Sequence, residues 1–211
     1  HQDEMVKNKF KNIDLIIVNF YPFQKIALKT KNSRNIIENI DIGGPTMVRA
    51  AAKNFKDVLI ITDKKDYDAL VDELQQHKGK TSLQFREYMA SKAFSLTAYY
   101  DSMIATWFNK KLNITFPDRK TIFGKKLTQL RYGENPHQKS SIYVNDFNDQ
   151  ETGLKKISGK DLSYNNYNDI FAGLEILASF KKSGTIIIKH ANPSGASMNK
   201  SPIRSFQESL D

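Results

Sequence analysis

Three short runs of apolar residues, rich in β-branched side chains, constrain the fold of this chain more than any other feature. They are DLIIVNF (14–20), DVLIIT (57–62) and TIIIKH (185–190). Runs of this length without polar alternation are typical of strands buried on both faces, as in parallel sheets. Segments with helical spacing follow the second run, at 65–77 and 82–110. The alternation of strands and helices predicts an α/β layer structure.

The chain changes character over residues 111–124, which have mixed polarity and no helical period. This change predicts a boundary between two domains. Beyond it, the pattern predicts two strands, a helix, a loop that follows the third strand run, and a final helix starting near residue 201. The two strands are expected at 125–130 and 140–144, the helix at 165–181 and the loop at 191–195.

The charge of the chain leaves its partners open. The 211 residues include 32 Lys and Arg against 23 Asp and Glu, a formal net charge of +9. The excess is spread along the chain rather than gathered in a tail. It fits either a soluble basic protein or one with acidic partners, such as nucleic acid or small phosphorylated and carboxylated ligands.

Composition excludes several kinds of site. Cysteine is absent, which excludes disulfides, iron–sulfur clusters, thiolate zinc sites and a cysteine nucleophile. The four histidines are far apart in sequence, so a metal site has little support. No apolar run approaches the roughly 18 residues of a membrane helix, so no membrane association is expected. The lack of cysteine fits a reducing cytoplasm.

The first candidate site follows the strand predicted at 14–20. Asn19 and Tyr21 leave the end of this strand together, and ligands of open α/β sheets bind at the carboxyl ends of strands. An amide and a phenol suit recognition of a polar heterocycle. The alternative is a strand end with a hydrogen-bonded asparagine and a packed tyrosine.

The second candidate is a turn followed by a helix expected over 46–54. Asp41 and Gly43 lie in the turn, Thr46 or a neighbour is expected to cap the helix, and Lys53 stands near its end. Glycines let the backbone approach a ligand closely, and a helix start offers free N–H groups to oxygen atoms or anions. Asp41 can act as acid or base, and Lys53 can stabilise an oxyanion. The alternative is an ordinary loop-to-helix turn with a capping aspartate.

The third candidate has two parts. Arg131 and Tyr132 open a stretch dense in functional side chains, and Lys189, His190 and Asn192 stand at the end of the third strand run. The Lys-His pair places a cation beside a titratable base. Adjacent strand residues point to opposite faces, so both reach one substrate only if the backbone turns, which Asn-Pro-Ser-Gly is expected to provide. The alternative is a structural histidine.

Five motifs in order along the chain carry a resemblance to one family: VNFYPF (18–23), ENIDIGGPTMVRAAAKN (38–54), LRYGENPHQ (130–138), GKDLSYNN (159–166) and IIIKHANPSG (186–195). Together they closely resemble the bifunctional purine-biosynthesis enzymes AICAR transformylase/IMP cyclohydrolase. The resemblance implies a Rossmann-like, methylglyoxal-synthase-like α/β sandwich, followed by the start of a cytidine-deaminase-like α/β domain. It implies that residues 1–118 are the C-terminal part of the cyclohydrolase domain. Residues 119–211 are then the linker and the first part of the transformylase region.

The resemblance also implies the chemistry. Such an enzyme transfers a formyl group from 10-formyltetrahydrofolate, its formyl-donor cosubstrate, to AICAR, and then closes the ring of formyl-AICAR to give IMP. It is a cytoplasmic homodimer that uses no metal and binds these small molecules rather than nucleic acid or a membrane. The resemblance assigns Tyr21, Asp41 and Lys53 to catalysis of ring closure, with Asn19 and Gly43 binding the substrate.

For formyl transfer, the resemblance assigns Lys189 and His190 to catalysis, with His190 as the general base. Arg131 and Tyr132 match an AICAR-binding pair, and Asn192 belongs to the loop that follows the catalytic pair. These assignments agree with the chemistry of the third candidate site.

Other function classes stay open beside the enzyme. The family's N-terminal phosphate loop and distal transformylase region are missing, so the chain is expected to be a fragment that is inactive alone. One alternative is a basic α/β module that binds nucleic acid, which a steep salt dependence of oligonucleotide binding would indicate. The other is an interaction remnant whose ligand sites are incomplete, which titration with AICAR or IMP would test.

Overall fold

The structure, a computed structural model, describes residues 2–145 and 153–211. They form two compact units that separate after Gly124, with Asn145 belonging to the first unit. The boundary expected after residue 118 lies a short way before this separation, within the first unit. The α/β prediction is confirmed at the level of a mixture of helices and small sheets.

Helices dominate the first unit. Its elements in chain order are α1 (Gln2–Lys7), β1 (Leu15–Ile17), α2 (Phe23–Lys29), α3 (Ser33–Glu38), α4 (Gly43–Lys53), β2 (Leu59–Ile61), a 3₁₀ turn (Lys64–Asp66), α5 (Tyr67–Gln76) and α6 (Leu83–Lys111). The long helix α6 lies where helical spacing predicted it. It begins after Ser82, whose hydroxyl accepts a hydrogen bond from the Phe85 N–H at 3.2 Å and so satisfies one of the free donors of the first turn.

The strands β1 and β2 pair in parallel, with Leu15 opposite Leu59 and Ile17 opposite Ile61. Strand β2 is buried throughout, as predicted. The prediction that β1 is buried on both faces is wrong, because Leu15 and Ile17 are 38% and 47% exposed. The side chain of Ile16 packs against the core between α4 and α6, whereas the opposite face of β1 stays open to solvent.

Small side chains make the contact between α4 and α6. Ala51 and Ala52 of α4 and Ala90 and Ala93 of α6 lie with Ile60 of β2 in one buried cluster. Because alanine side chains are short, the two helices can approach each other closely over the strand. This packing holds α4 over the sheet, and with it the turn that precedes the helix.

The second unit pairs its strands antiparallel, β3 with β4 and β5 with β6. Its elements are β3 (Lys125–Gln129), β4 (Ser141–Val144), α7 (Tyr164–Ala178), β5 (Thr185–Lys189), β6 (Asn192–Ser197) and α8 (Pro202–Glu208). All of them except β6 lie near their predicted positions. Helix α7 begins with a capping box, in which Ser163 and Asn166 each bond the other's backbone N–H through a side-chain oxygen.

The loop predicted over 191–195 is wrong. The chain reverses earlier, in a two-residue turn at His190 and Ala191, and the residues after it form β6. Both turn residues have positive φ, 53° and 58°, which gives the twist that a tight hairpin needs. The usual sequence signals for such a turn, Asn-Gly or Gly-Gly, are absent here. The pattern therefore pointed to the Asn-Pro-Ser-Gly that follows.

Candidate functional site

The carboxylate of Asp41 joins two backbone segments of the first unit. Its Oδ2 accepts a hydrogen bond from the Tyr21 N–H at 3.2 Å, and its Oδ1 accepts one from the Gly44 N–H at 2.7 Å. The N–H of Asp41 donates to the hydroxyl of Tyr100 at 2.8 Å. The segment after β1, the start of α4 and the middle of α6 therefore meet at one acidic residue.

Helix α4 starts earlier than predicted, at Gly43, and Thr46 does not cap it. Instead, the Thr46 hydroxyl donates to the Ile42 carbonyl within the first turn, and the Asp41 carboxylate bonds the free N–H of Gly44. The prediction placed Pro45 before the helix, but proline is tolerated in a first turn, where its missing N–H has no helical acceptor.

The two glycines at the start of α4 have different surroundings. A Cβ atom added at Gly44 would lie 2.6 Å from Asp41 Oδ2, whereas one added at Gly43 would meet nothing within 4 Å. Gly44 is buried and Gly43 is exposed. The close approach of the Asp41 carboxylate to the helix backbone therefore requires glycine at position 44.

Tyr100 holds the backbone of Asp41 from inside the core. Its ring lies edge-on to Phe20 and Phe23, with centroid distances of 5.0 and 6.2 Å, and only 3% of its surface is exposed. Burial raises the pKa of the Tyr100 hydroxyl above its ordinary value of 10.0, partly offset by the bond from the Asp41 N–H. At neutral pH it is an uncharged hydroxyl that accepts this bond.

The structure brings some of the predicted residues of the first unit together and leaves others apart. The Tyr21 backbone contacts Asp41, while its side chain is 58% exposed. Lys53 lies at the C-terminal end of α4, about 15 Å along the helix axis from its start at ~1.5 Å per residue. Asn19 is exposed on the segment after β1. The site consists of Asp41 with two backbone segments, and Lys53 lies away from it.

In the second unit, Arg131 and Tyr132 form a pair tied to the start of α7. The guanidinium of Arg131 lies 4.8 Å from the centre of the Tyr132 ring, and its Nη2 donates to the phenol oxygen at 3.1 Å. Hydrogen bonds with the side chains of Ser163 and Arg131 lower the pKa of the half-buried Tyr132 phenol. The Arg131 N–H bonds the Leu162 carbonyl, and the Tyr164 N–H bonds the Tyr132 carbonyl, both at 3.2 Å.

The hairpin turn between β5 and β6 carries the predicted catalytic pair. Lys189 is the last residue of β5 and pairs with Asn192 across the turn. The side-chain amide of Asn192 donates to the His190 carbonyl at 2.8 Å. The N–H of Ala191 donates to Asp169 Oδ1 of α7 at 2.7 Å. The backbone turns directly after Lys189, at His190 and Ala191, rather than in the Asn-Pro-Ser-Gly sequence where the turn was predicted.

Helix α7 brings parts of both segments of the third candidate to one pocket. The pocket has a volume of about 350 Å³ and is lined by Glu134, Tyr164, Asn165, Asn168, Asp169 and His190. His190 therefore borders the same space as the segment that Arg131 opens. The predicted residues Arg131, Tyr132, Lys189 and Asn192 are not part of the lining.

The described residues form neither a metal cluster nor a membrane-spanning helix. Over residues 2–145 and 153–211, no three or more His, Asp or Glu side chains gather in a way that would hold a metal ion. Over the same ranges, no helix has both the length and the apolar character needed to cross a bilayer.

Comparison with known proteins decides the family. The sequence profile described as AICARFT/IMPCHase bienzyme matches residues 51–211. The chain belongs to this bienzyme family. A relative named bifunctional purine biosynthesis protein PurH, from Bradyrhizobium diazoefficiens, is 42% identical over 216 residues, which cover 100% of this chain and 40% of the relative. The PurH of Thermoanaerobacter sp. is 42% identical over 202 residues, covering 94% of this chain and 39% of the relative.

The chain thus spans about 40% of the length of the curated bienzyme relatives it matches. Among solved structures, the crystal structure of ForH is 34% identical, with a TM-score of 0.44, and the match covers 51% of this chain and 56% of that one.

Three residues of these sites were not found by sequence reasoning. Gly44 was seen only as one of a glycine pair, Tyr100 lies on a helix 59 residues away from Asp41, and Asp169 lies on a helix 22 residues before Ala191. The signal for Gly44 was present in the Gly-Gly pair. No local pattern predicts the roles of Tyr100 and Asp169, because their contacts join segments far apart in the chain.

Proposed function

We propose that these residues belong to an enzyme that carries out the last two steps of IMP synthesis. In the first step, a formyl group passes from 10-formyltetrahydrofolate to AICAR, and in the second, formyl-AICAR loses water and closes its ring. Membership of the bienzyme family supports this activity. The observation that carries the site assignment is that His190 lines the same pocket as Glu134, on the segment that Arg131 and Tyr132 open.

In formyl transfer, His190 is proposed to take the proton that the AICAR amine loses as its nitrogen attacks the formyl carbon. The bond between that carbon and the folate nitrogen then breaks, and the folate nitrogen leaves with a proton. Imidazole accepts a proton near neutral pH, so it suits this role. The Lys189 ammonium is proposed to stabilise charge on the formyl oxygen, and Arg131, Tyr132 and Asn192 to bind AICAR.

In ring closure, Asp41 is proposed as the acid–base group. The reaction needs a group that takes a proton from the weakly nucleophilic carboxamide nitrogen, and the Asp41 carboxylate is already held by two backbone N–H groups. Asn19, Tyr21 and Gly43 are proposed to contact the substrate beside it. Lys53 lies away from Asp41, at the C-terminal end of α4, and is proposed to stabilise negative charge on the substrate from there.

The finer assignments are part of the same proposal. Residues 1–118 are assigned to a Rossmann-like, methylglyoxal-synthase-like cyclohydrolase domain, and 119–211 to the linker and start of a cytidine-deaminase-like transformylase region. The enzyme is proposed to be a cytoplasmic homodimer that needs no metal and binds no nucleic acid. The family match favours this enzyme over a basic nucleic-acid-binding module.

The test is His190→Ala in the full-length bienzyme. We expect kcat for formyl transfer to fall roughly 100–10,000-fold, the usual contribution of one acid–base group, while ring closure of supplied formyl-AICAR persists. Both rates are measured on the same preparation, so that the ring-closure rate serves as an internal control. Near-normal formyl transfer in this variant would refute the assignment of His190.

A further inference from the structure

One face of α7 contacts both segments that carry the proposed transfer site. Asn165, Asp169 and Gly173 follow one another at intervals of four residues, so they lie on the same side of the helix. Asn165 Nδ2 donates to the Glu134 carbonyl at 3.0 Å, and Asp169 Oδ1 accepts from the Ala191 N–H at 2.7 Å. We call these three residues the α7 stripe.

Gly173 places the helix close to β5. A Cβ atom at this position would lie 3.2 Å from Ile188 Cγ1 and 3.5 Å from Ile186 Cγ2. Gly173 is buried, so the helix backbone packs directly against these strand side chains. Asp169 lies one turn before Gly173 on the same face of α7, and its carboxylate contacts the hairpin turn at Ala191.

The turn itself is held in a costly backbone conformation. His190 and Ala191 both have a Cβ atom, and both adopt the left-handed region, with φ of 53° and 58°. Such residues keep this conformation only when their surroundings hold it. Beyond the strand ladder, two hydrogen bonds hold the backbone of the turn within the described part of the chain: the Asn192 side-chain amide donates to the His190 carbonyl, and Asp169 accepts from the Ala191 N–H. Asn192 belongs to the hairpin itself, whereas Asp169 belongs to α7, which packs against it.

We propose that Asp169 is a positioning residue for formyl transfer, which fixes the His190–Ala191 turn and thereby the place of the His190 imidazole in the pocket. This inference rests on the proposed function of His190. A carboxylate oxygen that accepts the Ala191 N–H selects one turn geometry from those that the hairpin can sample. Misplacing a catalytic group by about 1 Å can cost on the order of 100-fold in rate, so loss of this one bond is expected to slow transfer.

The test compares Asp169→Ala, Asp169→Asn and the control Glu175→Ala in the full-length bienzyme. Glu175 is an exposed acidic residue of the same helix, so the control removes the same charge from α7 without touching the turn. We expect Asp169→Ala to lower kcat for formyl transfer roughly 10–100-fold with the KM for AICAR changed less than about threefold. Asp169→Asn keeps an oxygen that accepts the Ala191 N–H, so it should restore kcat to within about threefold of the wild type.

Hydrogen exchange distinguishes a displaced turn from an unfolded unit. In Asp169→Ala, the amide of Ala191 should exchange faster, while amides in the middle of α7 and β5 keep their protection. Wild-type kcat in Asp169→Ala would overturn the proposal. Equal losses in the Ala and Asn variants would overturn it too, because the hydrogen bond would then not be the cause. Run in parallel, His190→Ala separates the two hypotheses: if it keeps transfer activity, the role of His190 fails and the positioning role fails with it.

Discussion

The hydroxyl of Tyr100, whose ring lies in a buried aromatic cluster, accepts a partly buried hydrogen bond from the Asp41 N–H. Replacing Tyr100 by Phe keeps the ring contacts with Phe20 and Phe23 and removes only the acceptor. An unpaired buried N–H costs about 1–3 kcal/mol, so we expect the first unit to unfold at lower urea concentration. The fluorescence of Trp107, the only tryptophan of the chain, reports this unfolding because its ring packs edge-on against Phe23. An unchanged midpoint would show that this bond adds no stability.

Burial of the Tyr100 hydroxyl predicts that the stability of the first unit depends on pH. Burial raises the pKa of Tyr100 in the folded state above its ordinary value of 10.0, so the unfolded phenol ionises first. The stabilisation is therefore fully present below about pH 10 and is lost as the pH rises further. The difference in unfolding free energy between the wild type and Tyr100→Phe should narrow as the pH rises from about 10 to about 12. A difference that stays constant over this range would contradict the burial of the hydroxyl.

At the level of elements, the start of α4 predicts opposite effects for two neighbouring glycines. Gly44→Ala would push a methyl group against the Asp41 carboxylate, at 2.6 Å from Oδ2, and so break the bond that closes the first turn. Losing a cap of this kind costs about 0.5–2 kcal/mol. Gly43→Ala meets no atom within 4 Å and replaces glycine by a better helix former.

Urea unfolding followed by Trp107 fluorescence tests this pair, with Gly43→Ala as the matched control for the stability measurement. We expect the midpoint to fall in Gly44→Ala and to stay unchanged or rise in Gly43→Ala. Equal shifts in both variants would show that the hydrogen bond between the Asp41 carboxylate and the Gly44 N–H does not require glycine at position 44.

At the level of the whole molecule, the two compact units predict separable activities. Asp41 and Lys53 lie in the first unit and His190 in the second. In the full-length bienzyme, Asp41→Ala and Lys53→Ala should suppress ring closure and spare formyl transfer. We expect the larger loss in Asp41→Ala, on the order of 100-fold or more, because Lys53 lies at the far end of α4.

Separate assays with AICAR plus the formyl donor and with formyl-AICAR alone measure the two rates. If both substitutions lowered the rate of formyl transfer by the same factor, the division of activities between the units would be refuted. A larger loss in Lys53→Ala than in Asp41→Ala would instead show that the lysine, and not the carboxylate, is the main group of ring closure.

Local patterns were sufficient wherever a single segment decides its own structure. The apolar run around Ile60 predicted a buried strand, and the helical spacing over 82–110 predicted α6, because periodicity and side-chain type act over neighbouring residues. The same reasoning failed for β1. Whether Leu15 is buried depends on which element covers it, and the strand pattern carries no information about that.

The sequence by itself determined the family and the α/β character of the chain, and it proposed the site residues, whose roles stay predictions. Only the tertiary structure decided how those residues are held. In the structure, the Asp41 N–H bonds the Tyr100 hydroxyl, and the hairpin turn lies at His190 and Ala191. Asp169 accepts a hydrogen bond from the second residue of that turn. The physical reason is that hydrogen bonds between segments 22 or 59 residues apart depend on the packing of whole helices, which no local pattern records.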